Sequence, residues 1–209
     1  MSTGMASASD ALASASLSHR SNHDLIRNTT QLQSVPWSPA PRWVTSPRNV
    51  GHATAQGIEL EMKCRADQLW NAAPSIDLRA NYSLYTSHVD GIPGPDNRLD
   101  QQPRRTANLG ADYRLRRIPL TLGGNVNWTP AFAVRQSQTQ QYWQGIKRVV
   151  DVYALWKFDA NTQLRLSATN LSNRDFETAN QFATAASDYT SDTRTWTYTS
   201  WSARLELKF

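Results

Sequence analysis

The sequence predicts an all-β fold, an antiparallel transmembrane β-barrel meander of about eight strands that forms part of a larger barrel. Three observations carry this prediction. Apolar and polar residues alternate over most of the chain after residue 50, the alternating segments are roughly ten residues long, and short connections take turns with long ones. Alternation with a period of two gives a strand one apolar and one polar face, and about ten residues let a tilted strand cross the hydrocarbon layer.

Composition excludes some classes of protein. The 209 residues carry a formal charge of +5 and are 39% hydrophobic, and the mean hydropathy is negative. These values, and the lack of any run of about 18 apolar residues, exclude a chain built from membrane-spanning helices. They are compatible with a membrane barrel, because only every second strand residue meets lipid. The basic residues are spread along strands, which argues against nucleic-acid binding, and the single cysteine, Cys64, leaves the compartment open.

Eight segments carry the strand pattern. The first, residues 11–19, alternates alanines and Leu17 with serines. In residues 57–65, Ile58, Leu60, Met62 and Cys64 alternate with Glu59, Glu61, Lys63 and Arg65. The same pattern recurs, in chain order, at residues 75–86, 106–115, 120–129, 150–158, 164–168 and 201–209. The polar stretch 159–162 is suited to a turn with left-handed backbone geometry.

The connections between these segments alternate in length. The short ones are residues 66–74, 116–119 and 159–162, and the long polar ones are residues 21–50, 89–103, 130–147 and 174–193. An outer-membrane barrel has short periplasmic turns on one rim and long extracellular loops on the other. With this alternation of short and long connections, the last strand ends on the periplasmic side.

Aromatic residues support a membrane location. They lie on the predicted apolar faces, often near strand ends, where amphipathic rings prefer the boundary between water and lipid. The alternative is that aromatic residues are simply common in strands. The residues are Tyr113, Trp128, Trp156, Phe158, Trp201 and Phe209.

After about residue 40, several segments resemble the TonB-dependent outer-membrane receptors of the siderophore receptor type. They are GIELEMK at 57–63, NRLDQQPRRTANLGADYRL at 97–115, VDVYALWKF at 150–158 and LRLSATNLSNRDF at 164–176, which includes Asn170 and Leu171. The chain then stops at Phe209, with Leu207 and Leu205 at alternate positions, like the C-terminal assembly signal that the barrel-assembly machinery reads in this family.

The resemblance implies a location in the outer membrane of a Gram-negative cell, contact with its lipid, and a part in the uptake of a ferric siderophore or similar nutrient. Long loops with several arginines and the aromatic residues Tyr142, Trp143, Tyr189 and Trp196 would contribute to capture, although no ligand contact can be named. No plug domain or energy-coupling segment is recognisable. We therefore expect a truncated C-terminal fragment, which would reach the inner-membrane energy-coupling complex only through a plug supplied by missing sequence.

The expected domain division is a poorly defined N-terminal segment, residues 1–48, with one possible strand and a long loop, followed by the C-terminal barrel strands in residues 49–209. The start of the chain lacks the basic and apolar regions of a signal peptide, which fits truncation. The alternatives are a self-contained small outer-membrane barrel with a structural role and a soluble β-barrel that binds a small ligand. An upstream plug would favour the fragment, whereas an upstream signal peptide would favour the small barrel.

No catalytic constellation, cofactor motif or metal site is predicted, so we expect that the protein is not an enzyme. His19 and His23 have a metal-like spacing, but that spacing converges only on a helix. Asp90, Asp96 and Asp100 lack the residue order of a calcium loop. We expect mixed charges to line the polar face: Glu59, Glu61, Lys63, Arg65, Asp77, Arg79, Asp112, Arg114, Arg165 and Arg204.

Overall fold

The computed structural model describes residues 11–70 and 73–208, and these residues form strands with one short helix. The strands are β1 (Leu12–Asn22), β2 (Ile26–Gln33), β3 (Arg42–Asn49), β4 (Ala53–Arg65), β5 (Ile76–Val89), β6 (Arg105–Arg114), β7 (Leu120–Thr129), β8 (Phe132–Arg135), β9 (Gln140–Gln144), β10 (Lys147–Lys157), β11 (Thr162–Thr169), β12 (Phe176–Ala183), β13 (Asp188–Thr195) and β14 (Ser200–Leu207). Helix α1 (Ala66–Leu69) lies between β4 and β5.

One eight-stranded sheet contains a strand for each of the eight predicted segments. Its order is β1-β4-β5-β6-β7-β10-β11-β14, and every neighbouring pair is antiparallel. The strands therefore follow one another around the sheet in chain order, once the strands inside the long connections are set aside. The predicted all-β antiparallel meander is confirmed.

The register of the sheet brings the predicted apolar residues onto one face. One row across six strands consists of Ala13, Met62, Ala80, Leu109, Val126 and Val150. Large apolar side chains on this face are exposed, with Leu109 at 59% and Leu166 at 49%. So much contiguous apolar surface is unusual on a protein surrounded by water and is what a lipid-facing wall requires.

Both outer edges of the eight-stranded sheet are open. β1 pairs only with β4, and β14 pairs only with β11, so no strand in residues 11–70 and 73–208 joins the two edges. The sheet is a wall and not a closed barrel. An open edge leaves a row of backbone donors and acceptors available for further strands.

Three of the four long connections contain strands that the sequence analysis did not predict. β2 and β3 form a separate hairpin, and β8, β9, β12 and β13 form a four-stranded sheet in the order β13-β12-β9-β8. The segment of β2, IRNTTQLQ, is polar on both faces over most of its length. Alternation is weak in such strands because neither face meets lipid, so periodicity could not reveal them.

A small apolar cluster lies where the first two long connections leave the sheet. It consists of the buried residues Val50, Ala53, Val89 and Ile92, with Leu25 and Leu99 packed against it. The chains approach closely here: a Cβ atom on Gly91 would lie 2.3 Å from the main-chain oxygen of Val50. This cluster fixes the bases of both connections.

The turn between β10 and β11 differs from the expectation of left-handed geometry. Among the described residues, the positive-φ positions do not include 159–162. The Asp159 carboxylate instead accepts hydrogen bonds from the backbone N–H groups of Asn161, at 2.7 Å, and Thr162, at 2.8 Å. The Asn161 bond is the main reason why the pKa of Asp159 is lowered. The side chain thus closes the turn without a left-handed residue.

Candidate functional site

The long connections and the polar face of the sheet are the two surfaces that could bind a partner. The long connections, residues 23–52, 90–104, 130–146 and 170–199, emerge from one rim of the sheet, and the short ones lie at the opposite rim. We call the first of these the loop rim. The polar face carries the side chains that alternate with the apolar face.

Arg27 on β2 is the central residue of the loop rim. Its side chain is only 5% exposed, and its Nε atom lies 2.9 Å from Asp100 Oδ2. Its guanidinium also donates to the main-chain oxygens of Arg98, at 3.0 Å, and Gln136, at 3.4 Å. Burial lowers the pKa of Arg27, and the Asp100 charge opposes that shift. One buried cation therefore joins three long connections.

Further hydrogen bonds strengthen this junction. The backbone N–H of Arg135 donates to the main-chain oxygen of Asp96 at 2.7 Å. Gln136 Nε2 donates to Asp100 Oδ1 at 3.1 Å, and Thr139 Oγ1 donates to the main-chain oxygen of Thr30 at 3.0 Å. The first three long connections are thus held to one another by both side chains and backbone.

The fourth long connection joins the same assembly. The backbone N–H of Ala183 donates to the main-chain oxygen of Thr139 at 2.8 Å. The rings of Trp43 and Phe182 lie 5.6 Å apart between centroids, and Phe182 stacks on Tyr189 at 6.1 Å. Apolar ring contacts therefore link the first and fourth connections.

A polar hollow of about 520 Å³ opens on the loop rim between the third and fourth connections, and Trp143, Arg174, Asp175, Glu177 and Arg194 are among its lining residues. Arg194 Nη2 lies 2.7 Å from Asp175 Oδ2. That hydrogen bond is the main reason why the pKa of Asp175 is lowered. The hollow combines an aromatic face with paired charges, a combination suited to a polar ligand that carries rings or charges.

The four aromatic residues named from the sequence do not converge on one point. Trp143 lines the hollow and is 40% exposed. Trp196 is 63% exposed and lies beneath the Arg194 guanidinium, 4.4 Å from it. Tyr189 packs on Phe182 instead. Tyr142 packs at 6.3 Å from Phe132, and burial raises its pKa. Trp143 and Trp196 are therefore the two best placed near the charged pair.

The polar face contains a compact cluster. Asp112 accepts a hydrogen bond from Tyr153 Oη at 2.6 Å and another from Arg79 Nη2 at 2.7 Å. The Arg165 guanidinium lies 4.0 Å from the centre of the Tyr153 ring. The sequence analysis named Arg79, Asp112 and Arg165 but missed Tyr153. Tyr153 lies between Val152 and Ala154, which point to the apolar face. Strand alternation alone therefore places Tyr153 on the polar face.

Gly123 makes room for this cluster. A Cβ atom there would lie 2.2 Å from Asp112 Oδ1 and 2.3 Å from Tyr153 Cε1, closer than real contacts allow. A residue with a side chain at position 123 would separate Asp112 from Tyr153. The glycine is therefore required by side-chain packing across three neighbouring strands, β6, β7 and β10.

Most of the other charges expected on the polar face have a local partner. Lys63 lies 2.6 Å from Glu61, and Arg114 lies 3.7 Å from Asp77. Arg65 pairs with Asp67, and Glu59 accepts a hydrogen bond from Tyr85 at 2.5 Å. Arg204 faces Arg165 directly across the β11–β14 pair. Like charges directly opposite each other in a sheet are destabilising, so an acidic group near this pair would be stabilising.

The three aspartates of the second long connection are far from forming a common site. Asp90 lies 3.5 Å from His88, Asp96 lies 2.8 Å from Arg104, and Asp100 pairs with Arg27. Asp96 and Asp100 each pair with an arginine, and Asp90 lies beside the His88 imidazole.

His19 and His23 do not face each other. His19 Nδ1 lies 3.4 Å from Gln56 Nε2, whereas His23 Nδ1 lies 3.1 Å from the Nδ1 atom of His52. Within residues 11–70 and 73–208, no three or more His, Cys, Asp or Glu residues are grouped to hold a metal ion. None of the helices in that part of the chain has the length and hydropathy to span a membrane.

The residues named as a possible assembly signal lie at the end of the sheet. Leu205 and Leu207 are on β14, and their side chains are 59% and 53% exposed. In the register, Leu205 faces Leu164, a member of the apolar set of β11. Phe209 lies outside the described residues.

Comparison with known proteins identifies the family. The family model described as TonB dependent receptor-like, beta-barrel matches residues 9–171. No curated protein and no solved structure matches the chain. The matched residues include seven strands of the eight-stranded sheet, from β1 to β11. Because the match covers well over half of the 209 residues and agrees with the antiparallel wall, the chain belongs to the TonB-dependent receptor-like β-barrel family.

Proposed function

We propose that this chain is the C-terminal part of the barrel wall of a siderophore-type TonB-dependent receptor in the outer membrane of a Gram-negative cell. It takes part in the uptake of a ferric siderophore or a similar nutrient and is not an enzyme. The observation that carries the proposal is the eight-stranded meander with a continuous exposed apolar face and with its long, mutually bonded connections on one rim.

In the whole receptor, further strands pair with the open edges of β1 and β14, and a plug contacts the polar face. The opposed Arg165 and Arg204 support this arrangement, because an acidic side chain of the plug would relieve their repulsion. Energy coupling reaches this wall only through that plug. Residues 49–209 supply seven of the eight wall strands, and residues 1–48 supply the first, β1, together with a long connection.

Two further roles follow from the same proposal. Leu205, Leu207 and Phe209 form the signal that the barrel-assembly machinery reads, which is supported by the exposure of both leucines on the last strand. The hollow at the loop rim contributes to ligand capture through Trp143 and the Arg194–Asp175 pair. Rings and charges of a ferric chelate would find complementary groups there.

A pair of adjacent substitutions tests the membrane wall. Leu109 and Asn108 are consecutive in the middle of β6, and they point to the apolar and polar faces respectively. We expect Leu109→Arg to lower the free energy of unfolding in phosphatidylcholine vesicles by about 2–4 kcal/mol, because arginine is costly against lipid. Asn108→Arg should change it by less than about 1 kcal/mol. Equal costs, or a chain that stays in solution and ignores the vesicles, would contradict the proposal.

Ligand capture is tested separately by tryptophan fluorescence. The vesicle-bound chain is titrated with a ferric catecholate chelate and a ferric hydroxamate chelate, each compared with its iron-free form. We expect saturable quenching that is reduced when Trp143 and Trp196 are both replaced by Phe, and unchanged when Trp201 on β14 is replaced instead. Quenching that does not saturate, or that depends only on Trp201, would contradict capture at the hollow.

A further inference from the structure

We propose that His23 and His52 form a binding site for a divalent first-row transition-metal ion, with Cu²⁺ as the preferred ion. The proposal is independent of the function proposed above. It rests on the position of these residues in the sheet, the geometry of their rings and their accessibility to water.

The antiparallel pairing of β1 with β4 brings the two histidines together. The last pair in the register is Asn22 with Ala53, so His23 and His52 are the residues immediately beyond the paired ends of the two strands. The backbone around His52 is held in place, because its main-chain oxygen accepts a hydrogen bond from the Asp90 N–H at 2.9 Å. The preceding residue, Gly51, adopts a φ of 87°, which glycine does without strain. The site is therefore formed by folding.

The two ring nitrogens lie at hydrogen-bond distance, and the same separation suits two ligands on one ion. The Nδ1 atoms of His23 and His52 are 3.1 Å apart. An ion placed about 2.05 Å from both nitrogens, the usual distance for an imidazole ligand, would subtend an angle of about 98° between them. That angle is close to the right angle of square-planar and octahedral coordination, and square-planar or tetragonal geometry is typical of Cu²⁺ and Ni²⁺.

The separation of the ring centres agrees with this construction. With each ring centre roughly 1.15 Å behind its nitrogen, two rings aimed at a common ion would have centres about 4.8 Å apart. Nitrogens facing each other along a straight hydrogen bond would place the centres about 5.4 Å apart. The observed separation of the centroids is 4.7 Å, with the ring planes at 77°. The observed separation is therefore closer to the value for two rings that share an ion than to the value for a straight hydrogen bond.

The surroundings favour a site completed by water. Both histidines are exposed, so water can occupy the remaining coordination positions. The neighbouring carboxylate Asp24 is engaged by Asn49 Nδ2 at 2.9 Å. With two imidazole ligands, affinity among divalent ions follows the order in which Cu²⁺ binds most tightly.

The four histidines of the chain provide a matched control. One double variant, H23Q/H52Q, removes the proposed ligands, and the other, H19Q/H88Q, removes the same number of histidines elsewhere. The full chain and both variants are refolded in detergent micelles, checked by circular dichroism, and titrated with CuCl₂. Calorimetry gives the dissociation constant, and electron paramagnetic resonance reports the nitrogen ligands.

We expect the full chain and H19Q/H88Q to bind one Cu²⁺ ion with a spectrum of two nitrogen ligands. H23Q/H52Q should bind at least about tenfold more weakly and lose the two-nitrogen signal, because imidazole nitrogens are the ligands removed. Equal affinity in the two double variants, a loss confined to H19Q/H88Q, or no copper binding by the full chain would overturn the proposal. All three proteins share the same membrane wall, so these outcomes do not depend on the receptor function.

Discussion

Replacing Gly123 by alanine tests whether the Asp112–Tyr153 contact stabilises the wall. The added Cβ atom would lie 2.2 Å from Asp112 Oδ1, and an ordinary contact begins at 3.4 Å. The carboxylate or the strand must therefore move by the difference, about 1.2 Å. A shift of this size breaks the 2.6 Å hydrogen bond from Tyr153 Oη to Asp112.

The expected cost is the balance of three effects, two that destabilise the alanine variant and one that stabilises it. Overpacking in a closely packed site costs about 1–3 kcal/mol. Loss of the part-buried hydrogen bond to a charged group adds about 1 kcal/mol. The smaller entropy of the unfolded alanine chain returns about 0.4–1 kcal/mol. We therefore expect Gly123→Ala to lower the free energy of unfolding by about 2 kcal/mol.

Gly110→Ala is the matched control. Gly110 lies on the same polar face of the neighbouring strand β6, but its Cβ would lie 3.4 Å from Arg79 Nε, an ordinary contact. It should change the free energy of unfolding by less than about 1 kcal/mol in either direction. Urea unfolding in detergent micelles, followed by tryptophan fluorescence, measures both variants. Equal stability of the two alanine variants would refute the reasoning, because the close approach at Gly123 would then be without consequence.

Two other predictions concern the loop rim. Arg27→Met should lower the local free energy of opening of the long connections by about 2 kcal/mol. This cost is smaller than that of breaking a fully buried ion pair, because Asp100 is 36% exposed. Hydrogen exchange of the backbone amides measures the change. Asp175 has a lowered pKa because of Arg194, so its stabilising contribution is complete above the ordinary pKa of 3.8 and is lost as the pH falls through the lowered value. We call this loss of stability at low pH acid loosening. Asp175→Asn should remove it, as measured by the Trp196 fluorescence signal between pH 5 and about pH 2.

Both predictions have controls in the same chain. Lys63→Met removes an ion pair whose two side chains are 54% and 40% exposed, so amide exchange at the loop rim should stay unchanged. Asp192→Asn alters a nearby exposed carboxylate on β13, and the acid loosening should persist. Unchanged exchange in Arg27→Met would mean that the junction does not restrain the loops. Acid loosening that persists in Asp175→Asn would assign it to another group.

The eight wall strands could be predicted because their environment imposes a strict pattern. Between lipid and a wet interior, alternate residues must be apolar, as in Ile58, Leu60 and Met62 of β4. The strands of the long connections meet no lipid, so hydrogen bonding and local packing define them. The strand Phe132–Arg135 has only four residues, too few for periodicity to be recognised.

The contacts of the candidate sites could be predicted only in part. Parity along each strand placed Arg79, Asp112 and Arg165 on the polar face, since a side chain's face follows from its position alone. The partner of His23 depended on the register of β1 against β4, which joins residues 29 positions apart. The junction at Arg27 depends on the folding of three separate connections, and single-sequence patterns do not contain that information.

The junction at Arg27 has a consequence for how the loop rim could evolve and bind. Because one guanidinium holds segments from three connections, a change in the length of any one of them would displace the other two. We therefore expect changes of length in these three connections to occur together in related proteins. An incoming molecule would also meet a surface that is already ordered. The free-energy cost of fixing each loop residue, about 1–2 kcal/mol of lost conformational entropy, would then belong to folding and not to binding.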